Sequence, residues 1–198
     1  SRGLGDVYKR QEQVKQLLSD KHLDALVVLS DFNRRYLSQF TGTSGALIIT
    51  PEKRILLTDF RYMDQASQQA TEFNVINQDG NLLDAIKSHL QDLNVENVGF
   101  EGNLVSYDTY LKLSKAPISL ISVSGAIEEI REVKTEDEIQ IIQKAAEIVD
   151  EAYDYILTVT KAGMTEHDVK AKLESKMLEL GAEDTSFDTI CLLYTSDA

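Results

Sequence analysis

Up to about residue 130, short apolar runs alternate with helically spaced apolar residues; beyond it only the helical spacing continues. Over residues 11–21, Val14, Leu17 and Leu18 share one helix face, and Ala25-Leu26-Val27-Val28-Leu29 follows as an unbroken apolar run between Asp24 and Ser30. That is a helix feeding a buried strand. Two β-rich stretches, residues 45–50 and 54–58, flank Pro51-Glu52-Lys53, and a proline-led turn between such runs predicts a hairpin. Residues 61–70 read as a helix and 73–77 as a strand, while Asn81 is placed to cap a helix carrying Leu82, Leu83, Ile86 and Leu90. Residues 97–100 are extended, 106–113 helical and 118–123 extended again. Strands alternating with helices, plus one hairpin, predict an α/β fold with a mixed sheet covered by helices, not an all-β sandwich.

From Glu128 to Glu138 nearly every second residue is charged, and a domain boundary is expected between Ile130 and Thr135. Thr135-Glu136-Asp137-Glu138 has the form of a capping box, in which the Thr135 side chain meets the Glu138 amide and Glu138 reaches back. A long helix follows from it. Ile139, Ile142, Ala146, Val149, Tyr153 and Ile156 recur every three or four residues, which predicts one buried face and one solvated face. After Lys161-Ala162-Gly163 the pattern repeats: Thr165 with Asp168 caps, Val169, Leu173, Met177 and Leu180 form the stripe, and Gly181 stands where a left-handed terminal residue is wanted.

Composition narrows the function classes. An apolar fraction of 42% and a charged fraction of 27% are ordinary for a globular protein of 198 residues, and no apolar run approaches the roughly 18 residues of a membrane span. Twenty basic against thirty-three acidic side chains give a net charge of -13, which repels a phosphate backbone and argues against nucleic acid as a partner. The single cysteine, Cys191, excludes an internal disulfide framework and a thiolate zinc cage, so a reducing cytoplasm is the expected compartment. His22, His89 and His167 lack a second histidine at ligand spacing and read as surface or capping residues. Gly42-Thr43-Ser44-Gly45-Ala46 misses the nucleophile-elbow pattern by one glycine position and precedes a strand-like run, which argues against Ser44 as a nucleophile.

One polar, arginine-rich and aromatic stretch, residues 31–42, lies between the first strand and the hairpin, as loops presented by a rigid scaffold do. Tyr36, Leu37 and Phe40 are also spaced as the core face of a short helix, and both readings stand at this point. The motif Phe32-Asn33-Arg34-Arg35-Tyr36-Leu37-Ser38-Gln39-Phe40-Thr41-Gly42, followed by Thr58-Asp59-Phe60-Arg61-Tyr62-Met63-Asp64-Gln65-Ala66 and Val98-Gly99-Phe100-Glu101-Gly102, resembles the amino-terminal domain of the proline-specific peptidases, prolidase and aminopeptidase P, relatives of creatinase. Ile130-Arg131-Glu132-Val133-Lys134-Thr135, Gly163-Met164-Thr165-Glu166, Leu180-Gly181-Ala182 and Ser186-Phe187-Asp188-Thr189-Ile190 are similar, in order, to the opening landmarks of their catalytic domain.

The resemblance implies a creatinase/prolidase-type domain over residues 11–130 and the start of an incomplete α+β pita-bread domain over 131–190, with 1–10 and 191–198 as foreign ends. It implies, for the complete parent, two divalent metal ions (manganese or cobalt), short proline-containing peptides as substrates and a homodimer. The metal ligands of relatives follow the position of Ile190, so no catalytic or metal residue is assigned; Glu183, Asp184 and Asp188 read as a solvated turn. By the same resemblance Asp31, Phe32, Asn33, Arg34 and Tyr36 border a substrate channel, and Gln39 stands where relatives more often carry glycine, which puts the course of that segment in question. Chaperone-like relatives without metal ligands and creatinase-type amidinohydrolases share the architecture and are the alternatives.

Overall fold

The computed structural model describes residues 4–191, with side chains from Tyr8 onward. The chain forms two units, one up to Val133 and one from Lys134. In the first, helix α1 (Leu4–Asp20) leads into strand β1 (Ala25–Val28) and helix α2 (Asp31–Ser38). The hairpin β2 (Ala46–Ile49) and β3 (Arg54–Thr58) follows, then a 3-10 turn (Phe60–Tyr62), α3 (Met63–Gln69) and β4 (Asn74–Asn77). Helix α4 (Leu82–Asp92), β5 (Asn97–Phe100), α5 (Tyr107–Leu113), β6 (Ser119–Ser122) and α6 (Ala126–Glu132) complete it.

The six strands lie in the order β4-β3-β2-β1-β5-β6. Only β2 runs against its neighbours: it pairs antiparallel with β1 and β3, whereas β3–β4, β1–β5 and β5–β6 are parallel. Leu26 and Val28 point to one face, where they join Val14, Leu18, Leu37, Leu47, Leu56, Ala66 and Ile127 from α1, α2, β2, β3, α3 and α6, and Phe40 from the segment after α2. Ala25 and Val27 point to the other and meet Ile48, Leu57, Ile86, Leu90, Val98 and Leu113, the helical ones from α4 and α5. Both faces are thus buried, which is why β1 and β2 carry no polar alternation at all.

Two elements, α1 and α6, differ from the spacing-based expectation, and α2 decides between the two readings of its segment. Helix α1 starts ahead of residue 11, because no proline interrupts the helix before its end and Arg10 finds a partner: its guanidinium lies 4.2 Å from the Tyr36 ring centroid and donates to the Tyr36 carbonyl. Residues 31–38 take the helical one of the two readings, with Leu37 buried on α2 and Phe40 buried just past its end. Charge density hides α6 in the sequence, although its Ile127 and Ile130 are three residues apart and pack on the first face of the sheet.

Arg34, on α2, is the largest fully buried side chain. Its Nη2 donates to the Gly42 carbonyl at 2.6 Å and its Nη1 to the Gly45 carbonyl at 3.0 Å, while the Asp31 carboxylate lies 2.9 Å from Nη1. The guanidinium thereby pins the segment entering β2. Both glycines are required there by close approach: a Cβ on Gly42 would collide with the Phe40 ring, and one on Gly45 would sit 2.6 Å from the Leu57 carbonyl oxygen.

In the second unit, α7 (Glu136–Val159) and α8 (Glu166–Glu179) each begin with a complete capping box, Thr135 with Glu138 and Thr165 with Asp168. Gly181 follows α8 at φ +99°, the left-handed position expected of it. The predicted stripe on α7 has the right period but is mostly uncovered: Ile156 and the neighbouring Ala152 are buried, whereas Ile139, Ile142, Val149 and Tyr153 are exposed.

Two outcomes follow. Replacing Arg34 by Leu leaves the Gly42 and Gly45 carbonyls without their donor and is expected to cost about 3 kcal/mol, read from the urea midpoint of the first unit; a loss under about 0.5 kcal/mol would show that the clamp carries nothing. Amide hydrogen exchange is expected to be much faster in α7 and α8 than in β1, β2 and β3, since few apolar contacts hold the second unit. Equal protection in both units would contradict this.

Candidate functional site

The chain leaves β1 through α2 on one face of the sheet and leaves β5 through α5 on the other. Since β1 and β5 are parallel neighbours, their carboxyl ends open a crevice of the kind that holds ligands in open α/β sheets. Here the chain's own Glu101, one residue past β5, fills it. Glu101 is buried, and its Oε2 accepts from the Leu29 amide at 2.7 Å and the Ser30 amide at 2.9 Å. Its Oε1 accepts from the Ser30 hydroxyl at 2.5 Å and from Asn33 Nδ2 at 2.8 Å. Four donors on one carboxylate satisfy a charge whose burial would otherwise cost several kcal/mol.

Asn33 passes the contact on. The same Nδ2 donates to Glu128 Oε1 at 2.9 Å, and Asn33 Oδ1 accepts from Arg131 Nη1 at 2.9 Å, so the amide ties α2 to α6 as well as to β5. Ser30, the residue preceding α2, caps none of its amides with its own side chain; its hydroxyl is spent on Glu101. At the other end Gln39 adopts φ +64°, a left-handed turn that closes α2 with the Gln39 amide on the Arg35 carbonyl. Glutamine therefore carries a conformation for which glycine has no steric penalty.

The structure divides the five candidate channel residues by exposure. Phe32 is 75% exposed and Asp31 stands beside it at the start of α2, also exposed. Asn33 and Arg34 are 0% and 2% exposed, turned into the network and the clamp. Tyr36 is half-buried between two guanidinium groups, Arg10 at 4.2 Å and Arg131 at 5.7 Å from its ring centroid. Glu101, Glu128 and Arg131 are not among the candidates the sequence offers. Glu101 is visible there only as part of a motif, and no local spacing joins residues 33, 101 and 131.

Next along the sheet edge, Asp59 at the end of β3 holds the 3-10 turn: its Oδ1 accepts from the Arg61 amide and Nε, and its Oδ2 pairs with Arg61 Nη2 at 2.8 Å. The Arg61 side chain, above all, lowers the Asp59 pKa to about 2. A depressed carboxyl stabilises the fold fully above the ordinary value of 3.8, and that contribution is lost as pH falls toward about 2. Phe60 beside it is exposed, so with Phe32 it adds an uncovered aromatic to the same edge of the sheet.

Among the described residues, no group of three or more His, Cys, Asp or Glu side chains comes together to hold a metal ion. His22 lies in the turn after α1 at φ +54°, His89 in the last turn of α4 and His167 in the first turn of α8 beside Asp168. The Asp168 carboxylate is held below its ordinary pKa by the Thr165 amide and then the Thr165 hydroxyl, a capping role. Glu183, Asp184 and Asp188 are exposed. The expected foreign tail lies, from Leu192 onward, outside the described residues, as do the first three residues of the expected leader. No described helix is long and apolar enough to cross a membrane.

The chain matches the Creatinase/Prolidase N-terminal domain over residues 10–133 and the Metallopeptidase family M24 over residues 140–198. It is 34% identical to the uncharacterized peptidase YqhT of Bacillus subtilis over 181 residues, 90% of this chain and 51% of that protein. The Xaa-Pro dipeptidase from Bacillus anthracis superposes with a TM-score of 0.89 at 32% identity, covering 92% of this chain and 52% of that one. The N-terminal domain of the cytoplasmic peptidase PepQ from Mycobacterium tuberculosis superposes with a TM-score of 0.58 at 29% identity, covering 61% of this chain and 97% of that one. The chain spans about half the length of the curated relatives it matches. With the six-stranded sheet, the Glu101-filled crevice and a family match across the whole first unit from Arg10 on, the chain belongs to the creatinase/prolidase N-terminal domain family.

Proposed function

We propose that this chain is the amino-terminal part of a cytoplasmic Xaa-Pro peptidase, of dipeptidase or aminopeptidase P type, whose complete form hydrolyses the peptide bond preceding proline. The observation that carries this reading is the likeness to an Xaa-Pro dipeptidase across 92% of the chain, with the two family matches following one another in the same chain. The complete form is proposed to use two divalent ions, manganese or cobalt, and to act as a homodimer. The described residues present no donor set for such ions, so no step of the reaction is assigned to them.

Within this reading the first unit contributes recognition. Asp31 and Phe32, exposed at the start of α2, are the side chains a short peptide meets. Asn33 and Arg34 hold them from below, and Tyr36 closes the flank between its two arginines. An aromatic beside a carboxylate suits a short peptide: the ring packs on a proline or an apolar side chain, and the carboxylate takes the free amino group.

The assay is direct. The product of the complete gene is expected to release proline from an Xaa-Pro dipeptide with added manganese or cobalt, and to leave creatine and Xaa-Ala dipeptides intact. The 198-residue chain is expected to do none of this. In the complete protein Phe32→Ala should raise KM about five- to tenfold with a smaller change in kcat, the pattern of lost substrate binding. Turnover of creatine, or no hydrolysis of Xaa-Pro substrates under any divalent metal, would replace the peptidase reading with an amidinohydrolase or a non-catalytic binding module.

A further inference from the structure

We propose that Glu101 is the positioning residue of the candidate recognition helix: its carboxylate acts as a built-in anion in the crevice between β1 and β5 and fixes where α2 starts. Three observations converge. The crevice lies where a doubly wound sheet offers backbone amides to a ligand, and both amides that reach it, Leu29 and Ser30, go to Glu101. Helix α2 has no cap from its preceding residue, so its start is set from 71 residues away. Asn33 is buried and has its amide donors on two carboxylates and its oxygen on Arg131, so α2 cannot turn about its axis without breaking contacts to β5 and α6 together.

Phe32 and Asp31 precede this hub by one and two residues, and both are exposed. Asp31 is held by its ion pair with Arg34, whereas the direction of Phe32 is not set by packing of its own. It is inherited from Asn33 and, through it, from Glu101 and Arg131. This role matters to a peptide only if α2 is the segment a peptide meets, as proposed above. The order of α2 is measurable without peptide, so a failure there leaves the peptidase reading intact.

The test uses the 198-residue chain, which contains no tryptophan, with Phe32→Trp as the only indole. In that background Glu101→Ala is expected to lower the fluorescence anisotropy of residue 32 and to raise amide exchange over residues 29–34 about tenfold, with β2 and β3 unchanged. Formate, a carboxylate small enough to enter the vacated space, is expected to restore both readings in a saturable way, whereas chloride at equal ionic strength does not. Rescue of this kind separates an anion held by specific donors from a side chain that merely fills space. Arg131→Ala, at a half-buried position, covers the case in which Glu101→Ala does not fold: it is expected to raise exchange in residues 29–34 as well as in α6. Unchanged order at residues 29–34 in the folded variants, or loss in Glu101→Ala that formate and chloride restore equally, would overturn the proposal.

Discussion

A single carboxylate, that of Glu101, sits between the carboxyl ends of β1 and β5, where the connections leave the sheet on opposite faces. Because β1 hands the chain to one face and β5 to the other, the two connections part at the ends of these strands, and the backbone amides of Leu29 and Ser30 face the space between them. Buried amides without acceptors are costly, about 1–3 kcal/mol each. Glu101 meets both, and it is placed to do so by the strand pairing of Ala25 with Val98 through Val27 with Phe100. The start of α2 depends on that register, and the exposed pair Asp31 and Phe32 depends on the start of α2.

The polar groups under α2 are better understood as fixing position than as adding stability. A buried carboxylate with four donors and a buried guanidinium on two carbonyls offset their own desolvation, and what they secure is the pairing of backbone groups that an apolar side chain would leave unmet. What apolar residues lack is direction. Leu37 and Phe40 hold α2 against the sheet on a slippery surface, whereas Glu101, Asn33 and Arg131 admit one rotation of the helix and one translation. A scaffold that has to present two exposed side chains to something else needs that second kind of contact.

Most of the sheet was legible in the chain because its strands are bounded by local signals. The Pro51 turn fixed the hairpin, Asn81 and Ser106 cap α4 and α5 as their residue types suggest, and the apolar run of β1 has no polar position that admits another reading. The site was legible only in part. Residues 31–42 stood out by composition, but which of them are exposed was not readable, since the helical period places Asn33, Arg34 and Leu37 inward together and nothing local announces an asparagine and an arginine as buried. The partners that make the burial of Asn33 tolerable lie 68 to 98 residues away, at a separation no spacing rule covers. Helix α6 is hidden for a related reason, because two of its charges, Glu128 and Arg131, serve a distant amide.

The second unit presents the opposite balance. Its two helices are specified almost wholly by what lies at their ends: two capping boxes, acidic first turns and a glycine at φ +99° after α8. Each such device contributes about 1 kcal/mol, enough to set where a helix begins and ends but little against the conformational entropy of ordering 24 residues in α7. The remainder has to come from burial, and the exposed Ile139, Ile142, Val149 and Tyr153 show that most of the available apolar area is not used within the described residues. Local signals alone therefore determined where these helices lie, and so their bounds were readable, while their stability is a matter of what the stripe meets. In the first unit the order is reversed: both faces of the central strands are buried, and the information that matters most is held in a few long-range hydrogen bonds.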